Sequence, residues 1–187
     1  MEEKQMRDTD MVCVSAQIPD ILVELRYGGP ENFLNKPIYE FQEAYLRRGT
    51  VKKLAAVQAD LRSRGLGLKI WDAFRPVSAQ FALWKQMPDP DFVADPRKGY
   101  SNHSRGNAVD VTLVDTSGRE LPMPTAFDSF LPQARRDCAF LPEPGAGNSE
   151  LLCAVMEEHG FRAYEGEWWH FADSVRYEVE LSFHPPK

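Results

Sequence analysis

Ser101-Asn102-His103-Ser104-Arg105-Gly106-Asn107 runs into Ala108-Val109-Asp110-Val111-Thr112-Leu113-Val114, and the second half of this stretch decides the fold. Its β-branched and apolar residues predict a strand buried on both faces. Asp110 is the anomaly within it. An ionised carboxylate is costly to bury unless something compensates its charge, and a divalent cation would do so directly. His103 precedes it across Gly106, a residue that eases a sharp return of the chain.

Upstream, Leu66 to Trp71 reads as a second strand ending at Asp72-Ala73-Phe74-Arg75-Pro76. Before it, Thr50 to Arg64 is the clearest helix: Thr50 suits an N-cap, Val51, Leu54, Ala55 and Leu61 repeat at helical spacing, and Gly65 stands where a terminating glycine belongs. Ile21 to Leu25 reads as a short strand, and residues 1–17 as a polar lead-in. Ser78 to Met87 predicts a short helix with Phe81 and Trp84 on one face. Residues 88–102 read as loop, and 115–147 as a long proline-rich connection of the kind that usually carries function or is disordered. Asn148 to His159 is a further amphipathic helix, Phe161 to Phe171 is strand-like, and Val175 to Phe183 suggests one more strand. Helices and strands are interspersed without regular βαβ alternation, so the pattern predicts α+β rather than a doubly wound sheet.

The chain of 187 residues fits one domain spanning 1–187. A net charge of -6 argues against nucleic acid or an anionic membrane as the main partner, because both demand a basic surface. No apolar stretch reaches membrane-spanning length. Cys13, Cys138 and Cys153 are widely spaced and odd in number, which suggests free thiols in a reducing compartment. With no basic and apolar leader visible, the sequence points to the cytoplasm.

A second chemical signal is Glu167-Trp168-Trp169-His170-Phe171. A glutamate and a histidine three apart among aromatics look like an ionisable pair in a dry pocket. On a regular strand they would face opposite sides. If both serve one site, either the strand bulges or Glu167 belongs to the loop before it. Two histidines and one carboxylate form a common catalytic zinc set, with the fourth position open to water. Taken singly, each residue has an ordinary explanation: His103 at the surface, Asp110 paired with Arg105, His170 bonded to backbone in the core, Arg75 bridged to Asp72. His159 ends a helix, where a cation suits the dipole, and His184 lies in a proline-rich tail.

Taken together, Ser-x-His-x-x-Gly-x-Ala-x-Asp followed by Glu-x-x-His resembles the zinc D-Ala-D-Ala peptidases and their hedgehog-like relatives, most closely the VanX-type D-alanyl-D-alanine dipeptidases. Leu25-Arg26-Tyr27, Tyr45-Leu46-Arg47-Arg48, Asp72-Ala73-Phe74-Arg75-Pro76 and Pro124-Thr125-Ala126-Phe127-Asp128 support the likeness, which runs from about residue 20 to about 182. It implies a small mixed, mostly antiparallel sheet flanked by helices, with one Zn2+ per chain. It implies His103, Asp110 and His170 as metal ligands, Glu167 as the catalytic base and Arg75 as the group stabilising the transition state. Ser101, Tyr27 and Asp128 match positions near the substrate, a small dipeptide. Asp128 suits the substrate ammonium, and Ser101 and Tyr27 its carboxylate. The competing readings are a D,D-carboxypeptidase or endopeptidase acting on cell-wall peptides, and a zinc-binding hedgehog-like domain without activity. The oligomeric state stays open.

Overall fold

The computed structural model describes residues 6–90 and 93–186. A five-stranded sheet organises them, built from β2 (Leu22–Val23), β4 (Leu66–Asp72), β5 (Ala108–Asp115), β6 (Phe161–Tyr164) and β7 (Glu167–Asp173). The order is β2-β4-β5-β7-β6. Only β2 and β4 run parallel; the other pairs are antiparallel. A small second sheet pairs β1 (Met11–Cys13) with β3 (Tyr45–Arg47). The architecture is the expected α+β one.

Among the described residues four α-helices accompany the strands: α1 (Val14–Gln17), α2 (Arg48–Ser63), α3 (Val77–Gln86) and α4 (Gly145–Glu158). Helix α2 buries Val51, Leu54, Val57, Gln58 and Leu61, a stripe at helical spacing. Helix α4 adds Leu152, Val155 and Met156 to the same core. The sheet meets them with Leu68, Ile70, Val111 and Leu113. Because strand residues alternate, Asp110 and Thr112 face away from this core. That opposite face carries the chemistry.

The lead-in ends earlier than expected. Val12 and Val14 are buried, because β1 pairs with β3 and α1 follows it directly. The outermost residues of that lead-in, 1–5, lie outside the described residues. Thr50 is not the cap of α2, which begins at Arg48 directly after β3. Its hydroxyl instead donates to buried Asp173 Oδ2 at 2.8 Å. Helix α3 turns Ala79, Gln80 and Leu83 inward, leaving Phe81 exposed. The stretch Val175 to Phe183 forms no strand. Side chains bind its backbone instead: Arg47 Nη2 donates to Glu178 O (3.0 Å), Arg105 Nη1 to Tyr177 O (2.8 Å) and Asn107 Nδ2 to Val175 O (2.9 Å). Among the described residues no helix is long and apolar enough to cross a membrane.

Candidate active site

Strands β5 and β7 place Asp110 directly opposite His170. Asp110 Oδ1 lies 2.9 Å from His170 Nδ1 and 3.4 Å from His103 Nε2, and the two ring nitrogens are 3.1 Å apart. His103 comes from the single turn His103–Arg105 just before β5. Gly106 ends that turn at φ 72°, a left-handed conformation in which glycine has no steric cost. Arg47 clamps the turn from below, its Nε donating to Arg105 O at 2.9 Å.

The donor chemistry fits a cation. A tetrahedral ion with bonds of about 2.0–2.1 Å keeps its ligand atoms about 3.3 Å apart, close to the separations seen. His103 Nδ1 donates to Ala73 O at 2.7 Å. In the neutral ring this leaves the Nε2 lone pair facing Asp110 and His170, the outer-shell arrangement usual for a ligating histidine. Burial works against the Asp110 charge, but the two imidazoles outweigh it and hold the carboxyl well below its usual range. His103, Asp110 and His170 form the one group among the described residues whose donor atoms could jointly hold a metal ion. Arg105, a possible partner for Asp110 in the sequence, turns away to Tyr177 O.

Glu167 reaches the same site because β7 bulges. The ladder steps from Ala163↔Phe171 to Tyr164↔Glu167, so Trp168, Trp169 and His170 bow out on one strand. Glu167 therefore begins the strand and still brings Oε2 to 3.9 Å from His170 Nδ1. Burial raises its pKa to about 7; His170 opposes the rise, and the charges of Asp110 and Asp128 add to it.

These groups open on a cavity of about 680 Å³ whose wall includes Tyr27, Arg75, Ser101, Asp128, Trp169 and the 128–135 segment. The long connection thus supplies part of the cavity wall. Arg75 leaves the end of β4 with its guanidinium held by Asp72 Oδ2, through Nε at 2.9 Å and Nη2 at 2.6 Å. The ion pair foreseen as the ordinary explanation is present, and the same side chain also lines the cavity. Burial disfavours its charge, but Asp72, Tyr27 and Asp110 keep it firmly cationic. Its face lies 4.9 Å from the Tyr27 ring centroid.

Tyr27 gives its hydroxyl proton to Asp128 Oδ1 at 3.0 Å, so it supports Asp128 directly. The other Asp128 oxygen, Oδ2, is buried with no protein partner. Burial, with the charge of Asp110, raises the Asp128 pKa to about 7. Ser101 Oγ accepts the His103 backbone N–H at 3.2 Å, which leaves its own proton to donate. His159 contacts Asp60 at 3.3 Å, and neither it nor His184 lines the cavity. Sequence reasoning missed Tyr39, whose hydroxyl donates to Asp72 Oδ1 at 2.8 Å, and Gln80. Both are polar residues in otherwise apolar settings, and burial alone distinguishes them.

Sequence relationships define this chain as a peptidase. The profile of peptidase family M15, described as D-Ala-D-Ala dipeptidase, matches residues 7–180, and the chain belongs to that family. It is 37% identical over 163 residues to the D-alanyl-D-alanine dipeptidase of Escherichia coli (strain K12), covering 87% of this chain and 84% of the relative. It is 32% identical to the enzyme of that name from Enterococcus faecium, over 79% of this chain and 83% of the other. A solved structure of the LdcB LD-carboxypeptidase shares the fold, with a TM-score of 0.53 at 17% identity over 91% of this chain and 70% of that one.

Proposed function

We propose that this protein is a zinc-dependent dipeptidase acting on free D-Ala-D-Ala. The observation that carries this reading is the pairing of a His–Asp–His donor set with an unpartnered, buried Asp128 oxygen in one cavity. His103, Asp110 and His170 would hold one Zn2+, which supplies Lewis acidity that activates water near neutral pH and polarises the scissile carbonyl. Glu167 takes the proton of the attacking water and passes it to the leaving amine; a carboxyl with a pKa near 7 is suited to both tasks. Arg75, fixed by Asp72, directs positive charge at the developing oxyanion.

A free dipeptide is a zwitterion. Asp128 Oδ2 meets its ammonium, and the Ser101 hydroxyl its carboxylate. Blocking either terminus leaves a buried charge without its partner, and sites of this kind discriminate strongly. The D-configuration and the zinc are carried over from the family. A reducing compartment, as in the cytoplasm, agrees with the three free cysteines.

The cavity is nonetheless of a size that takes drug-sized ligands, and this favours the carboxypeptidase as the second reading. One assay separates the two: turnover of D-Ala-D-Ala, L-Ala-L-Ala and an N-acylated D,D-tripeptide, with zinc restored after chelation. D-Ala-D-Ala is cleaved and the tripeptide is not; equal turnover of both overturns the dipeptidase reading. Chelation without loss of activity removes the metal from it.

A further inference from the structure

Arg75 has five N–H donors, and Asp72 takes two of them on a single oxygen. A fork held at one oxygen can pivot about it. A third bond, remote from that point, sets the plane: Nη1 donates to Gln80 Oε1 at 2.8 Å. Gln80 lies on the inner face of α3, 2% exposed. Its other end is also engaged, Nε2 donating to Ala94 O at 2.8 Å. The chemistry of the neighbours fixes the direction of this amide. A guanidinium can only donate and a carbonyl can only accept, so a flipped Gln80 would lose both bonds. The Tyr27 ring covers one face of the guanidinium. Two N–H groups remain, one on each Nη, for a ligand in the cavity.

We propose that Gln80 is a positioning residue for the reaction: it fixes the orientation of Arg75 toward the oxyanion and couples it to the Val93–Ala94 wall of the cavity. Ala94 and Val93 line the same cavity as Arg75, so one amide ties the arginine to a surface the substrate touches. This rests on the reading of Arg75 as the oxyanion donor.

The test is a double-mutant cycle on the metal-loaded enzyme with D-Ala-D-Ala: wild type, Q80M, R75A and Q80M/R75A, each with kcat, KM, metal content and melting temperature. Q80M conserves length and removes both hydrogen bonds. It lowers kcat by about 10- to 100-fold, the scale of a slightly misplaced catalytic group, with KM within about threefold and metal content unchanged. In the R75A background the same substitution changes kcat by less than about twofold, because the group it positions is gone. An equal loss in both backgrounds overturns the proposal and makes Gln80 a wall anchor only. Unchanged kcat in Q80M beside a large loss in R75A also overturns it, while leaving the reading of Arg75 intact. Wild-type kcat in R75A removes that reading and the proposal with it. Q80E is the second variant, since it keeps an acceptor for Nη1 and gives up the donor to Ala94 O. It retains at least about threefold more kcat than Q80M; a loss as deep as that of Q80M refutes positioning through Arg75.

Discussion

Replacing Asp128 by Asn separates what the anchor does for the substrate from what it costs the fold. The backbone tolerates the change: Asp128 has φ 56°, and Asn is among the few non-glycine residues common in that region. Tyr27 can still donate to Oδ1. What disappears is the charge. In the folded protein the Asp128 carboxyl titrates near 7 instead of 3.8, through burial and the neighbouring charge of Asp110. Between those values the folded chain keeps a proton that the unfolded chain has shed, so stability falls as pH rises through that window. The difference corresponds to at most about 4 kcal/mol, fully expressed by about pH 8. Urea unfolding of chelated wild type and D128N at pH 4 and pH 8 reads it. The two proteins have similar stability at pH 4. At pH 8 the variant is the more stable by up to that amount, or about 8–16 °C in Tm for a domain of this size. Activity moves the other way: KM for the dipeptide rises about thirtyfold or more, the loss expected when a buried ammonium is left unpaired. Equal stability of D128N and wild type at both pH values would refute the claim that the site holds this carboxylate at a cost.

Other outcomes follow from the same geometry. Glu167→Gln keeps its metal by elemental analysis and melts no lower than wild type, since it too removes a carboxylate that burial disfavours, while kcat falls about 10²–10⁴-fold and KM changes little; a kcat within tenfold of wild type removes Glu167 from the mechanism. Asp110→Ala loses metal and activity together, and full metal occupancy in that protein would sink the ligand assignment. Thr50→Val removes a donor to Asp173, which also holds Lys53 Nζ at 2.5 Å and the Val175 N–H at 2.8 Å. It costs about 1–3 kcal/mol in urea unfolding without altering kcat; an unchanged midpoint contradicts the role given to that bond.

Periodicity was a good guide wherever one residue pattern had one partner. Helix α2 and strands β4 and β5 lie within about two residues of their expected bounds, because each buries a regular stripe or an unbroken apolar run. Its failures have physical causes. Thr50 has the side chain of a cap, and only the tertiary position of Asp173 shows that its hydroxyl is used elsewhere. Phe81 and Trp84 were the apolar pair legible in α3, yet Phe81 is exposed and the helix turns Gln80 inward, where Arg75 and Ala94 O satisfy its amide. The segment 175–183 is β-branched and aromatic enough for a strand, but Arg47, Arg105 and Asn107 take up its carbonyls. At the site, His103, Asp110 and His170 were legible from type and spacing, and the structure brings them together. The pairing of Glu167 with His170 was legible too, but the choice between a bulged strand and a preceding loop was not, since no local pattern marks the bulge in β7. Asp72 stood in the quoted motif, but its place as the acceptor for both Arg75 and Tyr39 depends on long-range packing.

The cross-strand placement of Asp110 and His170 also bears on how the chain finds its pairing. Two donors on facing strands can chelate together only in one alignment. Sliding β7 by a single residue would bring Trp169 or Phe171 opposite Asp110 and swing the imidazole to the helix side. Such a misaligned sheet would still bury apolar side chains, so hydrophobic burial alone discriminates weakly against it. It would, however, strand a carboxylate in the interior with nothing to neutralise it. A cation held between these strands would therefore act as a proofreader of β-pairing, rewarding the correct alignment over its one-residue neighbours.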